Sequence, residues 1–152
     1  MSNLDLVILC GGKGSRIENY TKKIPKPLIK VSNISILEKI INFYKKFDFN
    51  KIYLLAGYKG EMIKKKFHNK LFNLIKCQVI IEKKEMGTAG SISKLKNLIK
   101  NNFIVVNGDS YIEYDFFKFI KIRKKNFLIK MGINENKNYR SNNKLSNLSL
   151  RK

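Results

Sequence analysis

The chain has 152 residues, of which 43% are apolar, so it can form one domain whose core needs neither a disulfide nor a metal. Its 32 basic and 11 acidic residues give a net charge of +21, which by itself suggests a nucleic-acid partner. All but four of the basic residues are lysines, in a sequence also rich in Asn, Ile and Phe, and this is the bias of an AT-rich coding sequence. The composition therefore disfavours nucleic acid as the partner.

The two cysteines, Cys10 and Cys77, lack the paired spacing of a zinc site or a redox motif. We expect them to be reduced core thiols, as in a cytoplasmic protein. We recognise no export signal, and no apolar run approaches the length of a membrane span, so no membrane partner is expected. The sequence indicates no oligomeric state.

An apolar run predicts the first strand over residues 4–10, of the kind that is buried at the centre of a parallel sheet. The segment that follows at once is rich in glycine and ends in an arginine. Glycine permits positive φ and lets successive backbone N–H groups converge on an anion, while arginine adds a forked charge. The pattern predicts a phosphate cradle made by Gly11, Gly12, Gly14, Ser15 and Arg16.

Two prolines flank Lys26 in the segment 24–29. Because each proline fixes its own φ and disfavours helix in the residue before it, we expect this segment to be non-helical and to hold Lys26 on a stiff support. Lys26 would then add a charge for a further phosphate. The alternative is an ordinary proline-rich connector with a solvated lysine.

The middle of the chain alternates helix and strand signals. Ser35 and Glu38 form a capping box that predicts the start of a helix with one apolar face. A second strand is predicted over 51–56, and a short basic helix over 60–67 with His68 exposed at its end. A third strand over 77–82 leads into Gly87-Thr88-Ala89-Gly90 and a helix with apolar residues at 92, 95, 98 and 99.

A fourth strand over 103–106 runs into Asn107, Gly108 and Asp109. An acidic residue just beyond a parallel strand lies where such sheets bind ligands, so Asp109 is a candidate ligand of a divalent cation. A helix over 115–124 and a fifth strand over 127–131 follow. The alternation of strands and helices predicts an α/β fold with a mostly parallel sheet and right-handed crossovers.

Three motifs, in their order along the chain, resemble those of the sugar-phosphate nucleotidyltransferases, the pyrophosphorylases that make nucleotide sugars. They look most like those of heptose- and mannose-1-phosphate guanylyltransferases. The glycine-rich loop fits neither a dinucleotide-binding fingerprint nor a P-loop. The motifs are Gly11-Gly12-Lys13-Gly14-Ser15-Arg16 with Pro25-Lys26-Pro27, then Gly87-Thr88-Ala89-Gly90, then Asn107-Gly108-Asp109.

The resemblance implies a Rossmann-like, three-layer α/β/α fold with its nucleotide-binding nucleotidyltransferase domain over residues 1–132. Residues 133–152 would be a polar tail, a loop or an incomplete element. Enzymes of this family also use a second, late acidic residue at the metal and a central lysine at the sugar phosphate, and the sequence shows a counterpart of neither. We therefore expect this chain to be the N-terminal, nucleotide-binding part of a longer enzyme, with the C-terminal part of the family fold missing.

By the resemblance, an NTP and a sugar 1-phosphate react to give an NDP-sugar and pyrophosphate, for surface polysaccharide biosynthesis. The attacking phosphate oxygen is already ionised at pH 7, so catalysis would rest on positioning two anions and stabilising charge at the α-phosphorus. Arg16 and Lys26 would be the catalytic residues, and Asp109 would bind Mg²⁺. The nucleotide-binding residues would be Cys10, Gly11, Gly12, Gly14, Ser15, Glu82, Gly87, Thr88, Asn107 and Gly108.

Glu82 precedes Gly87 by five residues, where the resemblance places the reading of the base. Guanine presents two neighbouring donors that a carboxylate can accept together, whereas uracil and thymine would offer it carbonyl oxygens. GTP is therefore the favoured NTP, giving a product of the GDP-heptose or GDP-mannose type. Alternatively, Glu82 is a solvated charge at the end of a strand.

Three other functions stay open from the sequence. Relatives that transfer a uridylyl, thymidylyl or cytidylyl group share the glycine-rich loop, so UTP, dTTP or CTP could replace GTP. A non-catalytic module would bind NTP with Mg²⁺ and release no pyrophosphate. A nucleic-acid binder would show an affinity that falls steeply with salt, although the chain offers it no aromatic platform.

Overall fold

The computed structural model describes residues 4–121, except for the side chains of Arg16, Phe119 and Lys121. Short 3-10 helices occupy Ser15–Ile17 and Lys26–Leu28. The strands are β1 (Leu4–Cys10), β2 (Lys30–Val31), β3 (Ile34–Ser35), β4 (Lys51–Ala56), β5 (Leu71–Phe72), β6 (Ile75–Ile81) and β7 (Asn102–Asn107). The helices are α1 (Glu18–Thr21), α2 (Ile36–Tyr44), α3 (Gly60–Phe67), α4 (Gly87–Ser93) and α5 (Phe116–Lys121).

Five of the described strands form one sheet in the order β5-β6-β4-β1-β7. The pairs β1–β4, β1–β7 and β4–β6 are parallel, and only the short β5 runs antiparallel to its neighbour. The chain builds from β1 towards β6 on one side and then crosses back to place β7 on the other. In such sheets the crevice at the carboxyl ends of the strands flanking this switch binds ligands. The α/β fold with a mostly parallel sheet is confirmed.

The core lies on the central strands, whose side chains are almost fully buried. On one face of the sheet Val7, Tyr53 and Leu55 pack with Leu95, which follows α4. The capping box of α2 is confirmed, since the Ser35 hydroxyl accepts a bond from the Glu38 N–H and the Glu38 carboxylate accepts one from the Ser35 N–H. Burial raises the pKa of Glu38, but hydrogen bonds from Ser35 and Lys66 and the charge of Lys66 outweigh it and lower this pKa to about 2.

Three local expectations are wrong. Residues 26–28 form one 3-10 turn, because Pro25 occupies the N-cap with extended geometry and a proline in the first turn loses no helical hydrogen bond. The helix predicted to follow Gly87–Gly90 instead begins at Gly87 and ends at Ser93, and residues 94–98 continue as turns. His68 is half-buried rather than exposed, and its Nδ1 accepts a hydrogen bond from the Val79 N–H at 3.1 Å.

The chain divides into two compact units between Glu113 and Tyr114. In the second unit, Asp115 Oδ1 accepts a hydrogen bond from the Lys118 N–H at 2.9 Å, which caps the start of α5. The predicted strand over 127–131 and the tail over 133–152 lie outside the described residues. No helix between residues 4 and 121 is long and apolar enough to cross a membrane.

The hairpin between β5 and β6 turns through Asn73 and Leu74, which both have positive φ, as a type I′ turn requires. Asparagine tolerates the left-handed region, whereas a leucine is sterically strained there. Leu74 is 90% exposed, so little packing compensates this cost.

We therefore expect Leu74→Gly to raise the free energy of unfolding by about 0.5–1 kcal/mol, after the greater freedom of glycine in the unfolded chain is subtracted from the relieved strain. Urea-induced unfolding followed by circular dichroism measures this gain. Asn73→Gly is the matched control, with no gain expected. A Leu74→Gly protein no more stable than Asn73→Gly would contradict the prediction.

Candidate functional site

The glycine-rich loop leaves the carboxyl end of β1 and tightens into the 3-10 turn Ser15–Ile17. Gly14 sits at the start of this turn with φ +66°. A Cβ there would lie 2.9 Å from Thr21 Cγ2 and 3.4 Å from Lys26 Cβ. The turn therefore requires glycine both for its backbone geometry and for its close approach to the Lys26 segment.

Two further glycines let the ends of neighbouring strands approach β1. A Cβ on Gly57, just after β4, would lie 2.7 Å from the Gly11 carbonyl oxygen. A Cβ on Gly108, just after β7, would lie 2.7 Å from Cys10 Sγ and 2.8 Å from the Leu9 carbonyl oxygen. The loop after β4 thus packs directly on the first residue of the glycine-rich loop, and the loop after β7 packs on the last residues of β1.

Lys26 and Asp109 meet beside this loop, with Lys26 Nζ donating to Asp109 Oδ2 at 2.8 Å. The two side chains are about one-third exposed, so the pair is open to a ligand. A hollow beside them is lined by residues from β1, the glycine-rich loop, the 3-10 turn at Lys26 and the end of β7. These residues are Leu9, Cys10, Gly12, Gly14, Lys26, Pro27 and Asp109.

The charge of Asp109 is secured by its neighbours. Burial raises the pKa of its carboxyl. Hydrogen bonds from Lys26 and Ser110 and the positive charge of Lys26 lower the pKa by a larger amount, so it lies below its ordinary value. Cys10 behaves oppositely, because burial and then the nearby Cys77 and Asp109 groups raise the pKa of its thiol well above the usual range. Cys10 therefore lines the hollow as a neutral thiol.

Glu82 follows β6 and points its carboxylate at the glycine-rich loop. Its Oε2 lies 3.6 Å from where a Cβ on Gly11 would be. Its Oε1 is buried and has no hydrogen-bond partner among the described residues. Because buried carboxylate oxygens are nearly always paired, this atom is a candidate acceptor for donors on a ligand. The alternative interpretation of Glu82 as a solvated charge at the end of a strand does not fit its buried Oε1.

The remaining predicted site residues lie outside the lining of the hollow. Gly87, which has φ +65°, and Thr88 are exposed at the start of α4, and Asn107 is exposed at the end of β7. Ser15 is exposed in the 3-10 turn. The backbone of Arg16 belongs to that same turn, while its side chain lies outside the described part of the structure.

The sequence did not predict the hydrogen bonds that Tyr58 makes to the main chain at Gly11 and Thr21. The Tyr58 N–H donates to the Gly11 carbonyl at 3.2 Å, and the Tyr58 hydroxyl donates to the Thr21 carbonyl at 3.2 Å. Thr21 is only 2% exposed. The glycine after β4 was the sole signal, and it indicated only the end of a strand.

Asp109, a carboxylate that lines the hollow, is the candidate ligand for a divalent cation. Between residues 4 and 121, three or more His, Cys, Asp or Glu side chains are nowhere gathered as a metal cage. Mg²⁺ keeps several waters and shares oxygens with substrate phosphates, so one ionised carboxylate suits it. The donors present fit a cation held jointly with a nucleotide rather than by the protein alone.

A mostly parallel sheet with a glycine-rich loop at its switch point defines a nucleotide-binding type of α/β protein. Comparison with known families makes this class specific, because the model of the Nucleotidyl transferase family matches residues 6–140. The chain belongs to the Nucleotidyl transferase family.

Among curated proteins, the chain is 36% identical over 115 residues to the D-glycero-alpha-D-manno-heptose 1-phosphate guanylyltransferase of Campylobacter jejuni, covering 76% of this chain and 52% of that protein. It is 35% identical over 133 residues to the bifunctional protein GlmU of Methanococcus vannielii, covering 88% of this chain and 31% of that protein. The chain thus spans about half the length of the guanylyltransferase and a smaller share of GlmU.

Among solved structures, HddC from Yersinia pseudotuberculosis complexed with GMP-PN superposes with a TM-score of 0.67 at 34% identity, covering 76% of this chain and 52% of that one. A glucose-1-phosphate thymidylyltransferase from Bacillus anthracis, described as putative, superposes with a TM-score of 0.70 at 20% identity, covering 77% and 48%. The second likeness concerns the fold alone.

The ion pair leads to a prediction about Asp109. Lys26→Met removes the hydrogen bond and the charge that lower the carboxyl pKa, so we expect that pKa to rise towards its ordinary value of about 3.9. Because the folded-state pKa of Asp109 is lowered, its ionised form favours folding above the ordinary pKa and loses this effect as pH falls through the folded-state value. A ¹³C NMR titration of the carboxyl measures the change.

Lys13→Met is the matched control for this titration. Like Lys26→Met, it removes one positive charge near the site. Lys13 belongs to the glycine-rich loop and pairs with Glu85 at 3.1 Å rather than with Asp109. An Asp109 pKa that is the same in both variants would contradict a Lys26–Asp109 pair in solution.

Proposed function

We propose that this chain provides the nucleotide site of a sugar-1-phosphate nucleotidyltransferase. It would catalyse attack of a sugar 1-phosphate on the α-phosphorus of an NTP, with formation of an NDP-sugar and release of pyrophosphate. The observation that carries the proposal is the hollow where Lys26 and Asp109 meet the glycine-rich loop. The similarity to heptose 1-phosphate guanylyltransferases supports the same reaction class.

In this proposal the chain supplies position and charge rather than a base, because the attacking phosphate oxygen is already ionised at neutral pH. Backbone N–H groups of Gly11 and Gly12 contact the nucleotide, and Arg16 holds the side of the leaving pyrophosphate. Lys26 leaves Asp109 and contacts the phosphates at the reacting centre, where its charge offsets their repulsion. Asp109 would hold Mg²⁺, which when bound neutralises phosphate charge.

We further propose GTP as the preferred nucleotide. The buried, unpartnered Oε1 of Glu82 supports this preference, because a carboxylate beside Gly11 can accept both the N1–H and the exocyclic amine of guanine. The guanylyltransferase relatives, and the HddC complex with GMP-PN, support it as well. The sugar would be of the heptose or mannose type, in a pathway that builds surface polysaccharide.

Glu82→Gln tests the reading of the base. Loss of one charged hydrogen bond costs about 1.5–3 kcal/mol, so the preference for GTP over UTP should fall about tenfold or more. Isothermal titration calorimetry with each nucleotide and Mg²⁺ measures it. Glu85→Gln removes an equal charge from an exposed carboxylate nearby and should leave the preference unchanged. An unchanged GTP to UTP ratio in Glu82→Gln would refute the base-reading role.

The bound nucleotide is tested first by a thermal-shift screen of GTP, UTP, dTTP and CTP with Mg²⁺. The true ligand at 100 times its Kd should add about 2.7 kcal/mol to the free energy of unfolding. Preference for another base would move the proposal to another nucleotidyltransferase of the family, an alternative supported by the similarity to GlmU proteins.

A coupled pyrophosphate assay with sugar 1-phosphates then tests catalysis. Pyrophosphate release that is lost in Lys26→Met supports the transferase. Nucleotide binding with no pyrophosphate release supports the second candidate, a non-catalytic nucleotide-binding module. Both cysteines are buried free thiols, which supports a cytoplasmic location for either function.

A further inference from the structure

The loop Gly57–Lys59, which joins β4 to α3, contacts both ends of the glycine-rich segment 11–22. At the near end the Tyr58 N–H donates to the Gly11 carbonyl at 3.2 Å. At the far end the Tyr58 hydroxyl donates to the Thr21 carbonyl at 3.2 Å, and the Lys59 ammonium donates to the Lys22 carbonyl. We call the loop Gly57–Lys59 the strap. Its three bonds reach both ends of the segment in which the predicted phosphate cradle lies.

The backbone of the strap is itself tightly constrained. Gly57 leaves no room for a side chain, because a Cβ there would lie 2.7 Å from the Gly11 carbonyl oxygen. Lys59 adopts φ 52° and ψ 33°, a left-handed conformation that is costly for a residue with a Cβ. Such strain persists only where the surroundings hold it, and here the conformation lets Tyr58 and Lys59 both reach the segment.

The two side chains of the strap also contact each other, since Lys59 Nζ lies 5.4 Å from the centroid of the Tyr58 ring. The Tyr58 hydroxyl and the Lys59 ammonium both donate to backbone carbonyls of the segment, at Thr21 and Lys22. They therefore act on the shape of the segment through its main chain, whatever ligand that segment receives.

We infer that Tyr58 and Lys59 are positioning residues for the nucleotide, which hold segment 11–22 in the shape that presents its N–H groups to the phosphates. A glycine-rich segment samples many conformations. The apparent Kd for the nucleotide rises as the fraction of protein with the segment in its binding-competent conformation falls. The strap raises that fraction before the nucleotide arrives. This inference rests on the proposed function, because it takes the ligand of the segment to be an NTP.

The test compares Tyr58→Phe with a matched control, Tyr53→Phe. The Tyr53 hydroxyl also donates to a backbone carbonyl at 3.2 Å, that of Leu98, which is outside segment 11–22. Each variant loses one hydroxyl and one such bond. The 152-residue chain is measured in three ways: urea unfolding, GTP affinity with Mg²⁺ by calorimetry, and amide hydrogen exchange of residues 12–17 without nucleotide.

We expect Tyr58→Phe to speed exchange of residues 12–17 and to raise the Kd for GTP about threefold to tenfold, the range for loss of one hydrogen bond. Tyr53→Phe should leave both unchanged. Lys59→Met should act like Tyr58→Phe, and Lys59→Arg should restore both measurements, because arginine keeps a donor for the Lys22 carbonyl.

Equal exchange and equal affinity in Tyr58→Phe and Tyr53→Phe would overturn the inference. If the wild-type chain binds no NTP at all, the proposed function fails, and the exchange measurement alone decides the strap. Faster exchange of residues 12–17 in Tyr58→Phe but not in Tyr53→Phe would then support the positioning of segment 11–22 by the strap. Equal exchange in the two variants would refute this positioning.

Discussion

Close backbone packing at the carboxyl ends of β1, β4 and β7 is the constraint on which the site depends. Gly57 and Gly108 have no room for a Cβ, because the carbonyls of Gly11 and Leu9 and the sulfur of Cys10 already occupy that space. Parallel strands deliver their loops to one edge of a sheet, but only loops without side chains at these points can lie on one another. This packing places Asp109 and the glycine-rich loop around one hollow.

Charge in the hollow is balanced before any ligand is present. Lys26 and Asp109 pair with each other at 2.8 Å. In the proposed enzyme each would turn to an opposite charge on a ligand, the lysine to a phosphate and the aspartate to a cation. The whole chain is strongly basic, with a net charge of +21. Such an excess of positive charge attracts anions of any kind, so it is compatible with the two phosphate-bearing substrates of the proposed reaction as well as with nucleic acid.

In the proposed enzyme, Gly11 connects the two features that would shape binding of the nucleotide. The carboxylate of Glu82 lies beside it, and the strap holds its carbonyl through Tyr58. A shift of Gly11 would therefore change both the distance to the candidate base-reading group and the shape of the phosphate cradle. In the proposed enzyme, selectivity for the base and affinity for the phosphates are coupled through this one residue.

The sequence by itself determined the features set by neighbouring residues. Hydrophobic patterning placed β1, β4 and α3 at their observed bounds, and the capping box placed α2, because these signals act within a few residues. The prediction was wrong at residues 26–28, where two local rules compete. Proline disfavours helix in the residue before it, but the first turn of a helix accepts proline, and a 3-10 turn forms here. The motif residues predicted a chemistry for the site but not its geometry.

Only the tertiary structure decided which groups meet. Lys26 and Asp109 are 83 residues apart in the chain, and Tyr58 and Thr21 are 37 apart, so no local pattern links them. Their contacts follow from the order of strands in the sheet and from glycines at the crossing points, which bring distant loops to one edge. The buried oxygen of Glu82 likewise depends on packing against the glycine-rich loop, because burial is a property of neighbours that sequence spacing does not specify.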